Sequence, residues 1–215
     1  MADHPDRRSP LHGLADGLAA ADEAPARVRL SEVPFLTQLT LRVAPGTAAA
    51  TAAGRALGAP LPAAPNTTSA AGEVQILWMG PDEWLVVGPA EVRARLRDRL
   101  EAVLAGEHAT VVDVSAHRTV IEVAGSDART LLAKGCSVDL HPRAFAPGRC
   151  AQTTLARAQV VLLARTPEPA YWVLVRASFA EYLAAWLLDA SGEYRGAPPA
   201  DLSLEHTMQM AEVQA

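Results

Sequence analysis

The sequence is poor in several residue types, and each shortage restricts what the protein can do. Lys134 is the single lysine in 215 residues, and the formal net charge is −5. Binding to nucleic acid relies on basic groups that neutralise phosphates, so this composition argues against nucleic acid as a partner. It argues equally against a basic surface that would hold the protein to a membrane.

Cysteines and long apolar runs are also scarce. Cys136 and Cys150 are the only cysteines and form no Cys-X-X-Cys pair, so reduced thiols are expected rather than a disulfide framework. The first twenty residues lack the apolar centre of a signal peptide. No apolar run reaches the roughly 18 residues that a membrane span requires. We therefore expect a soluble, cytoplasmic protein.

The usual motifs for nucleotides and metals are missing too. No glycine-rich loop stands between a strand and a helix as dinucleotide binding requires, and no phosphate-binding GxxxxGK run occurs. The histidines show neither HxH nor HxxxH spacing, so no metal site is predicted. They are His4, His12, His108, His117, His141 and His206. We predict no catalytic, cofactor-binding or metal-binding residue in this chain.

What the sequence does contain is a mixture of strand and helix patterns. Leu39, Leu41 and Val43 alternate with polar residues, as in a strand with one wet face. Ser126 is predicted to cap a short helix, and Ser178 with Glu181 forms a predicted capping box. Strands are predicted at 36–43, 74–79, 84–87, 109–114, 119–124, 151–156, 159–164 and 171–175, and helices at 47–57, 89–105, 127–134 and from 178 onward. This order predicts an α+β fold with mainly antiparallel sheets.

The chain divides into three parts by composition. Residues 1–33 lack sustained periodicity and are predicted to be an N-terminal arm that orders only against something else. Residues 34–191 form the predicted domain, with halves at about 34–114 and 115–191. Residues 192–215 are predicted to be a C-terminal tail, with a short helix over its end from Leu202 to Ala215.

One segment brings together the three residue types of a serine triad. Asp113, Ser115 and His117 lie within five positions at the junction of two predicted strands. A working triad needs its base and acid to converge in space on the nucleophile, usually from separate segments. We therefore predict a turn held by polar side chains, and no catalytic site.

Four stretches resemble the gamma subunit of heterotetrameric sarcosine oxidase. The resemblance covers about residues 30–190, with a further match at Arg8–His12. Its most specific parts are Trp78–Val87, Val112–Phe145, Gly148–Thr153 and Val175–Asp189. Part of the same region, around Gly125 and Leu131–Leu132, is more faintly similar to the folate-binding fold of glycine-cleavage aminomethyltransferases. The resemblance implies two intertwined α+β halves.

The resemblance also implies a function. Partner subunits alpha, beta and delta would complete a complex that converts sarcosine to glycine, hydrogen peroxide and formaldehyde or methylenetetrahydrofolate. FAD, FMN, NAD, tetrahydrofolate and zinc would be held by those other subunits, and none by this chain. The expected role is that of a structural subunit without an active site of its own.

Two alternatives remain open at this point. The chain could be a free-standing folate-binding or aminomethyltransferase-like protein, for which an acidic residue would have to meet the pterin. It could also be the equivalent subunit of a related N-methyl amino acid dehydrogenase. The acidic candidates are Asp82, Glu83, Asp113 and Glu122, and the candidates for a partner interface are His117, Arg118, His141 and Arg143.

Overall fold

Two five-stranded antiparallel sheets form the framework of the protein. The computed structural model describes residues 7–22, 27–165 and 169–194. The N-terminal sheet has the strand order β3-β4-β5-β2-β6 and the C-terminal sheet the order β1-β7-β10-β9-β8. The strands are β1 Arg29–Val33, β2 Thr37–Val43, β3 Thr68–Ala71, β4 Val74–Gly80, β5 Glu83–Gly88, β6 Ala109–Asp113, β7 Arg118–Ala124, β8 Cys150–Leu155, β9 Ala158–Ala164 and β10 Ala170–Arg176.

Five α-helices flank the sheets, together with three short 3₁₀ turns. The helices are α1 Ala15–Asp22, α2 Ala48–Leu57, α3 Arg93–Val103, α4 Ala128–Ala133 and α5 Ala177–Ala190. The 3₁₀ turns are His12–Leu14, Ala90–Val92 and Gly192–Tyr194. The prediction of an α+β fold with mainly antiparallel sheets is confirmed.

Helices α2 and α3 cover the outer face of the N-terminal sheet. The Thr47 hydroxyl accepts a hydrogen bond from the Ala50 N–H at 3.2 Å and so caps α2, which ends at Gly58 with φ 86°. Leu96 and Leu100 of α3 are buried against this sheet, as the apolar stripe of the helix predicts. Burial of each such side chain stabilises the fold by about 1.5–3 kcal/mol.

Helices α1, α4 and α5 cover the outer face of the C-terminal sheet. Leu131 and Leu132 of α4 and Leu183 and Leu187 of α5 are fully buried in one cluster with the sheet. A single layer between the two sheets joins the halves. It contains Leu77, Leu85, Val87, Val120, Cys150, Val161, Leu163, Trp172 and Leu174.

The N-terminal segment differs from the expectation of an arm. Within 1–33, residues 7–22 and 27–33 are described, and they pack against the C-terminal sheet: β1 pairs with β7, and Leu11, Leu18 and Leu30 are buried. The chain therefore contributes its first strand to the sheet of its second half, which intertwines the halves. Because β1 is an edge strand whose partner β7 is distant in sequence, its place in the sheet is not visible in its own residues.

Three local predictions were also wrong. Strand β3 lies between the predicted helix 47–57 and the predicted strand 74–79, where no strand was predicted. Ser126 does not cap α4, since Asp127 occupies the cap position without a side-chain hydrogen bond. The capping box at Ser178 is absent because α5 begins one residue earlier, directly after Arg176. The C-terminal helix predicted over Leu202–Ala215 lies outside the described residues.

Gly125 shows why one motif of the resemblance needs a glycine. It follows β7 with φ 112°, and its N–H donates to the Pro169 carbonyl at 3.0 Å. A Cβ at this position would collide with the Arg27 carbonyl oxygen. Only glycine allows this positive φ and this close approach, so the motif has a structural role.

Candidate functional site

The turn between the two sheets is built on Asp113 and Ser115. One Asp113 carboxylate oxygen accepts the Ser115 hydroxyl at 2.6 Å and the Ser115 N–H at 2.9 Å. The Ser115 hydroxyl oxygen accepts in turn from the Gln38 N–H at 3.0 Å. This turn leads from β6 into β7, and it positions Arg118, whose carbonyl accepts from the Gln38 side chain at 2.9 Å.

The triad-like residues do not form a nucleophile–base pair. The Ser115 hydroxyl is bonded directly to the carboxylate, while the His117 backbone takes part in the turn through its N–H to Val114. Burial, together with the nearby Arg118 and Arg176, lowers the pKa of His117. Burial would raise the pKa of Asp113, but the hydrogen bonds from Ser115 and the charges of Arg93 and Arg97 outweigh it and the pKa is lowered. The segment is a turn, as its sequence predicts.

Beyond this turn lies what we call the unpaired end of the layer between the sheets. It consists of Arg118, Arg176, Gln159 and Thr154, which line one hollow of about 460 Å³. Arg118 and Arg176 are directly opposite one another on β7 and β10. Sequence analysis singled out Arg118 and missed Arg176, because the pairing of β7 with β10 is not visible in the sequence.

At the other end of the same layer is the paired end, formed by Glu122, Trp172 and Arg165. The Trp172 indole N–H donates to the Glu122 carboxylate at 2.8 Å, and the two residues face each other across β7 and β10. The Arg165 guanidinium lies 3.7 Å from the centre of the Trp172 ring. Burial lowers the pKa of Arg165, and the charge of Glu122 opposes that effect. At this end the indole N–H and the Glu122 carboxylate are therefore paired and the Arg165 guanidinium is stacked on the ring, while the buried Arg165 Nε has no hydrogen-bond partner within the part of the chain that the structure describes.

His141 and Arg143 lie elsewhere, in the segment between α4 and β8. The His141 N–H donates to the Asp139 carboxylate at 2.9 Å, and the His141 ring nitrogen Nδ1 accepts from the Arg143 N–H at 3.2 Å. Both residues are exposed. The structure does not bring them into the hollow that contains Arg118, so the four interface candidates form no single cluster there.

The four acidic candidates also serve separate local contacts. Asp82 is exposed in the β4–β5 turn, and Glu83 is ion-paired with Arg42 at 2.6 Å. Asp113 holds the turn described above, while Glu122 accepts from Trp172. None of them lines the hollows of about 530, 460 and 340 Å³ that the structure shows.

Two apolar surface features remain without an intramolecular use. A cleft of about 530 Å³ runs between α2 and the Pro60–Ala63 loop, above the buried Trp84. On α5, Phe179 and Tyr182 are 44% and 41% exposed one helical turn apart. Large apolar side chains presented together on one surface are typical of sites for other proteins.

The Cys150 thiol and the possible metal-ligating side chains offer no further reactive site among the described residues. Burial raises the pKa of the Cys150 thiol to about 11. Within residues 7–22, 27–165 and 169–194, no three His, Cys, Asp or Glu side chains are grouped so that they could hold a metal ion. Over the same ranges, none of the helices is both long and apolar enough to cross a membrane.

The fold places the protein in a class. It is similar to a glycine cleavage system aminomethyltransferase T from Bartonella henselae, with a TM-score of 0.59 at 14% identity over 81% of this chain and 48% of that chain. At such low identity the similarity defines the fold alone: paired α+β halves of the aminomethyltransferase type.

Closer comparisons define the family. Residues 42–193 match the model of the "Sarcosine oxidase, gamma subunit family". The sarcosine oxidase subunit gamma of an Arthrobacter species is 43% identical over 87% of this chain and 91% of its own length, and that of Corynebacterium sp. strain U-96 is 44% identical over 89% and 93%. A chain of the heterotetrameric sarcosine oxidase from Corynebacterium sp. U-96, solved with pyrrole 2-carboxylate, superimposes with a TM-score of 0.83 at 41% identity, covering 90% and 99%. The chain belongs to the sarcosine oxidase gamma subunit family.

Proposed function

We propose that this chain is a non-catalytic structural subunit of a cytoplasmic heterotetrameric complex that oxidatively demethylates sarcosine. The products would be glycine, hydrogen peroxide and either formaldehyde or methylenetetrahydrofolate. The observation that carries the proposal is the match to a chain of a solved heterotetrameric sarcosine oxidase over 99% of that chain, at 41% identity.

The local chemistry supports a role without catalysis by this chain. The Ser115 hydroxyl is held by a carboxylate, and Cys150 is buried with a raised thiol pKa, so neither is prepared as a nucleophile. Flavin, dinucleotide, folate and zinc would belong to the alpha, beta and delta subunits. This chain would supply packing surface to them.

A physical reason for such a subunit is confinement. A reactive imine or formaldehyde that moves between two sites must be kept from bulk water, and closed interfaces achieve this. The exposed Phe179 and Tyr182 of α5 and the apolar cleft beside α2 are surfaces that a neighbouring subunit would cover. Aromatic side chains commonly anchor such interfaces.

The test is to co-express the chain with its proposed partner subunits and purify the assembly through this chain. The expected product is a yellow complex of four different chains that consumes oxygen when sarcosine is added. A colourless single chain that binds tetrahydrofolate would instead favour a free-standing folate protein. Release of formaldehyde that stays the same without this subunit would contradict the confinement role.

A surface variant sharpens this test. Replacing Phe179 and Tyr182 together by serine is expected to weaken recovery of the partner subunits at least about tenfold, because buried aromatic anchors each contribute more than about 1 kcal/mol. Arg99→Gln, an exposed change on α3, is the matched control and should leave recovery unchanged. Equal recovery from both variants would exclude this face of α5 from the interface.

A further inference from the structure

The inner face of the C-terminal sheet changes from apolar to basic within one step along its strands. Side chains two residues apart share a face of a strand, so Arg118 lies on the same face as Val120, and Arg176 on the same face as Leu174. Val120 and Leu174 belong to the buried layer between the sheets. The two arginines are therefore the next step of a core-facing row, at the position where the N-terminal sheet no longer covers it.

The register extends this row across four adjacent strands. Arg118 is level with Arg176, and Gln159 is level with Thr154. The pairing of Val175 with Val160 places Arg176 next to Gln159. The row thus presents two guanidinium groups, an amide and a hydroxyl side by side, and all four side chains can donate hydrogen bonds.

The charge of this row is not balanced within the described part of the chain. Neither Arg118 nor Arg176 forms an ion pair there, although like charges directly opposite on antiparallel strands destabilise a sheet. Burial and the charge of Arg176 both lower the pKa of the half-buried Arg118. Glu83 opposes this effect, but its carboxylate is already bonded to Arg42.

The shape of the hollow suits a bound group. It encloses about 460 Å³ between the donors, and the Gln152 amide closes one side by donating to the Met79 carbonyl at 2.8 Å. The planar fork of an arginine matches the two oxygens of a carboxylate or phosphate, and two forks together bind such a group strongly.

We propose that the unpaired end is an oxyanion site, in which Arg118 and Arg176 bind a carboxylate or phosphate group with help from Gln159 and Thr154. The group has two sources: a small-molecule anion, or an acidic side chain of another subunit. The acidic side chain of another subunit rests on the proposed function, whereas the small-molecule anion does not depend on it.

The first experiment measures thermal unfolding of the full chain as phosphate is added at constant ionic strength. Phosphate at a hundredfold excess over its Kd is expected to raise the unfolding midpoint by about 5–10 °C. Arg176→Gln should weaken phosphate binding about 10- to 100-fold, since charge-assisted bonds are lost. Arg176→Lys keeps the charge but not the planar guanidinium, so its affinity for phosphate should lie between those of the unchanged protein and Arg176→Gln. Arg99→Gln on α3 should bind phosphate as the unchanged protein does.

The same variants separate a binding role from a structural one. Because Arg176 repels Arg118, Arg176→Gln is expected to keep or raise the unfolding midpoint when no anion is present. A residue that only supported the fold would lower the midpoint when replaced. This measurement therefore also shows that the variant is folded.

The second experiment measures association of the full chain with the other subunits at several salt concentrations. If the occupant is a partner's carboxylate, phosphate alone will not stabilise the chain. Arg176→Gln will then weaken association with the other subunits about 10- to 100-fold. The association of Arg176→Gln will also depend less on salt concentration than that of Arg99→Gln. Phosphate stabilisation that depends on Arg176 would support a free oxyanion even if no complex forms. Absence of both effects would overturn the proposal.

Discussion

The two ends of the layer between the sheets contain the same kind of side chain in opposite circumstances. At the paired end, Arg165 stacks on Trp172, whose indole N–H is bonded to Glu122. At the unpaired end, Arg118 and Arg176 face one another, and no described carboxylate forms an ion pair with either. Both ends lie on the same strands and the same sheet face.

The difference between the two ends distinguishes charges that are neutralised by groups of the same chain from charges that remain available to bind other molecules. A half-buried charge that is balanced inside the chain contributes to stability, and removing its partner leaves a group unsatisfied. A charge that is repelled by its neighbour costs stability, so its presence calls for an external partner. Mutations at the two ends should therefore change stability in opposite directions.

The largest effect is expected at the paired end. Trp172→Ala should lower the free energy of unfolding by about 3–5 kcal/mol, because it leaves a cavity between the sheets and removes the hydrogen-bond donor of the Glu122 carboxylate. Trp172→Phe keeps the ring and should cost only about 1–3 kcal/mol. Denaturant unfolding measures both, with Arg176→Gln from the unpaired end as the comparison. Similar losses for Trp172→Ala and Arg176→Gln would contradict the contrast between the ends.

A smaller effect is expected in the turn that leads to the unpaired end. Asp113→Ala removes the acceptor of two hydrogen bonds from Ser115 and should cost about 1–2 kcal/mol at pH 7. Asp98→Ala on α3 removes only an exposed ion pair to Arg97 and should cost less than about 1 kcal/mol.

The cost of Asp113→Ala should also depend on pH. The pKa of Asp113 is lowered in the folded state from its ordinary value of 3.8, so the carboxylate favours folding above that value. This contribution is lost as the pH falls through the lowered pKa. Unfolding measured at pH 7 and near pH 3 should show the gap between Asp113→Ala and the unchanged protein narrowing. A constant gap would mean that the charge of Asp113 is not what holds the turn.

The sequence predicts the central strands well, and also the edge strands β6 and β8, but it misses the two edge strands β1 and β3. Strands β2, β7 and β9 carry enough alternating or continuous apolar residues to be found locally. The edge strands β1 and β3 carry no such pattern of apolar residues. They are stabilised by pairing with β7 and β4, and this pairing is not visible in their own sequence. The predicted serine caps failed for a related reason: tertiary packing of α4 and α5 decides where each helix begins.

The candidate site is predictable only in part. The turn at Asp113 follows from short-range polar spacing, and Arg118 is visible as a polar residue beside it. Arg176 could be linked to Arg118 only through the register of β7 and β10, which is a non-local property. An arginine that ends an apolar strand is a signal worth testing, since its side chain continues the core-facing row.

The smallest perturbation tests the paired end itself, because the register places Cys150 level with Leu163, and Leu163 level with Trp172. Its side chain is 1% exposed, and burial raises the pKa of its thiol to about 11. At pH 8 only about one thiol in a thousand would be ionised, and that thiol is covered by both sheets. Iodoacetamide should therefore label the partly exposed Cys136 in the folded protein and reach Cys150 only after unfolding.

Cys136→Ser provides the control, because the folded variant should then take up no label, as measured by mass spectrometry. Rapid labelling of Cys150 in that variant would show that water and reagent enter between the sheets. The paired end would then be open to solvent, and its charges could no longer be treated as enclosed by the fold. Slow labelling would show that the row shared by Cys150 and Trp172 is closed to water and reagent, in contrast to the hollow lined by the two facing arginines.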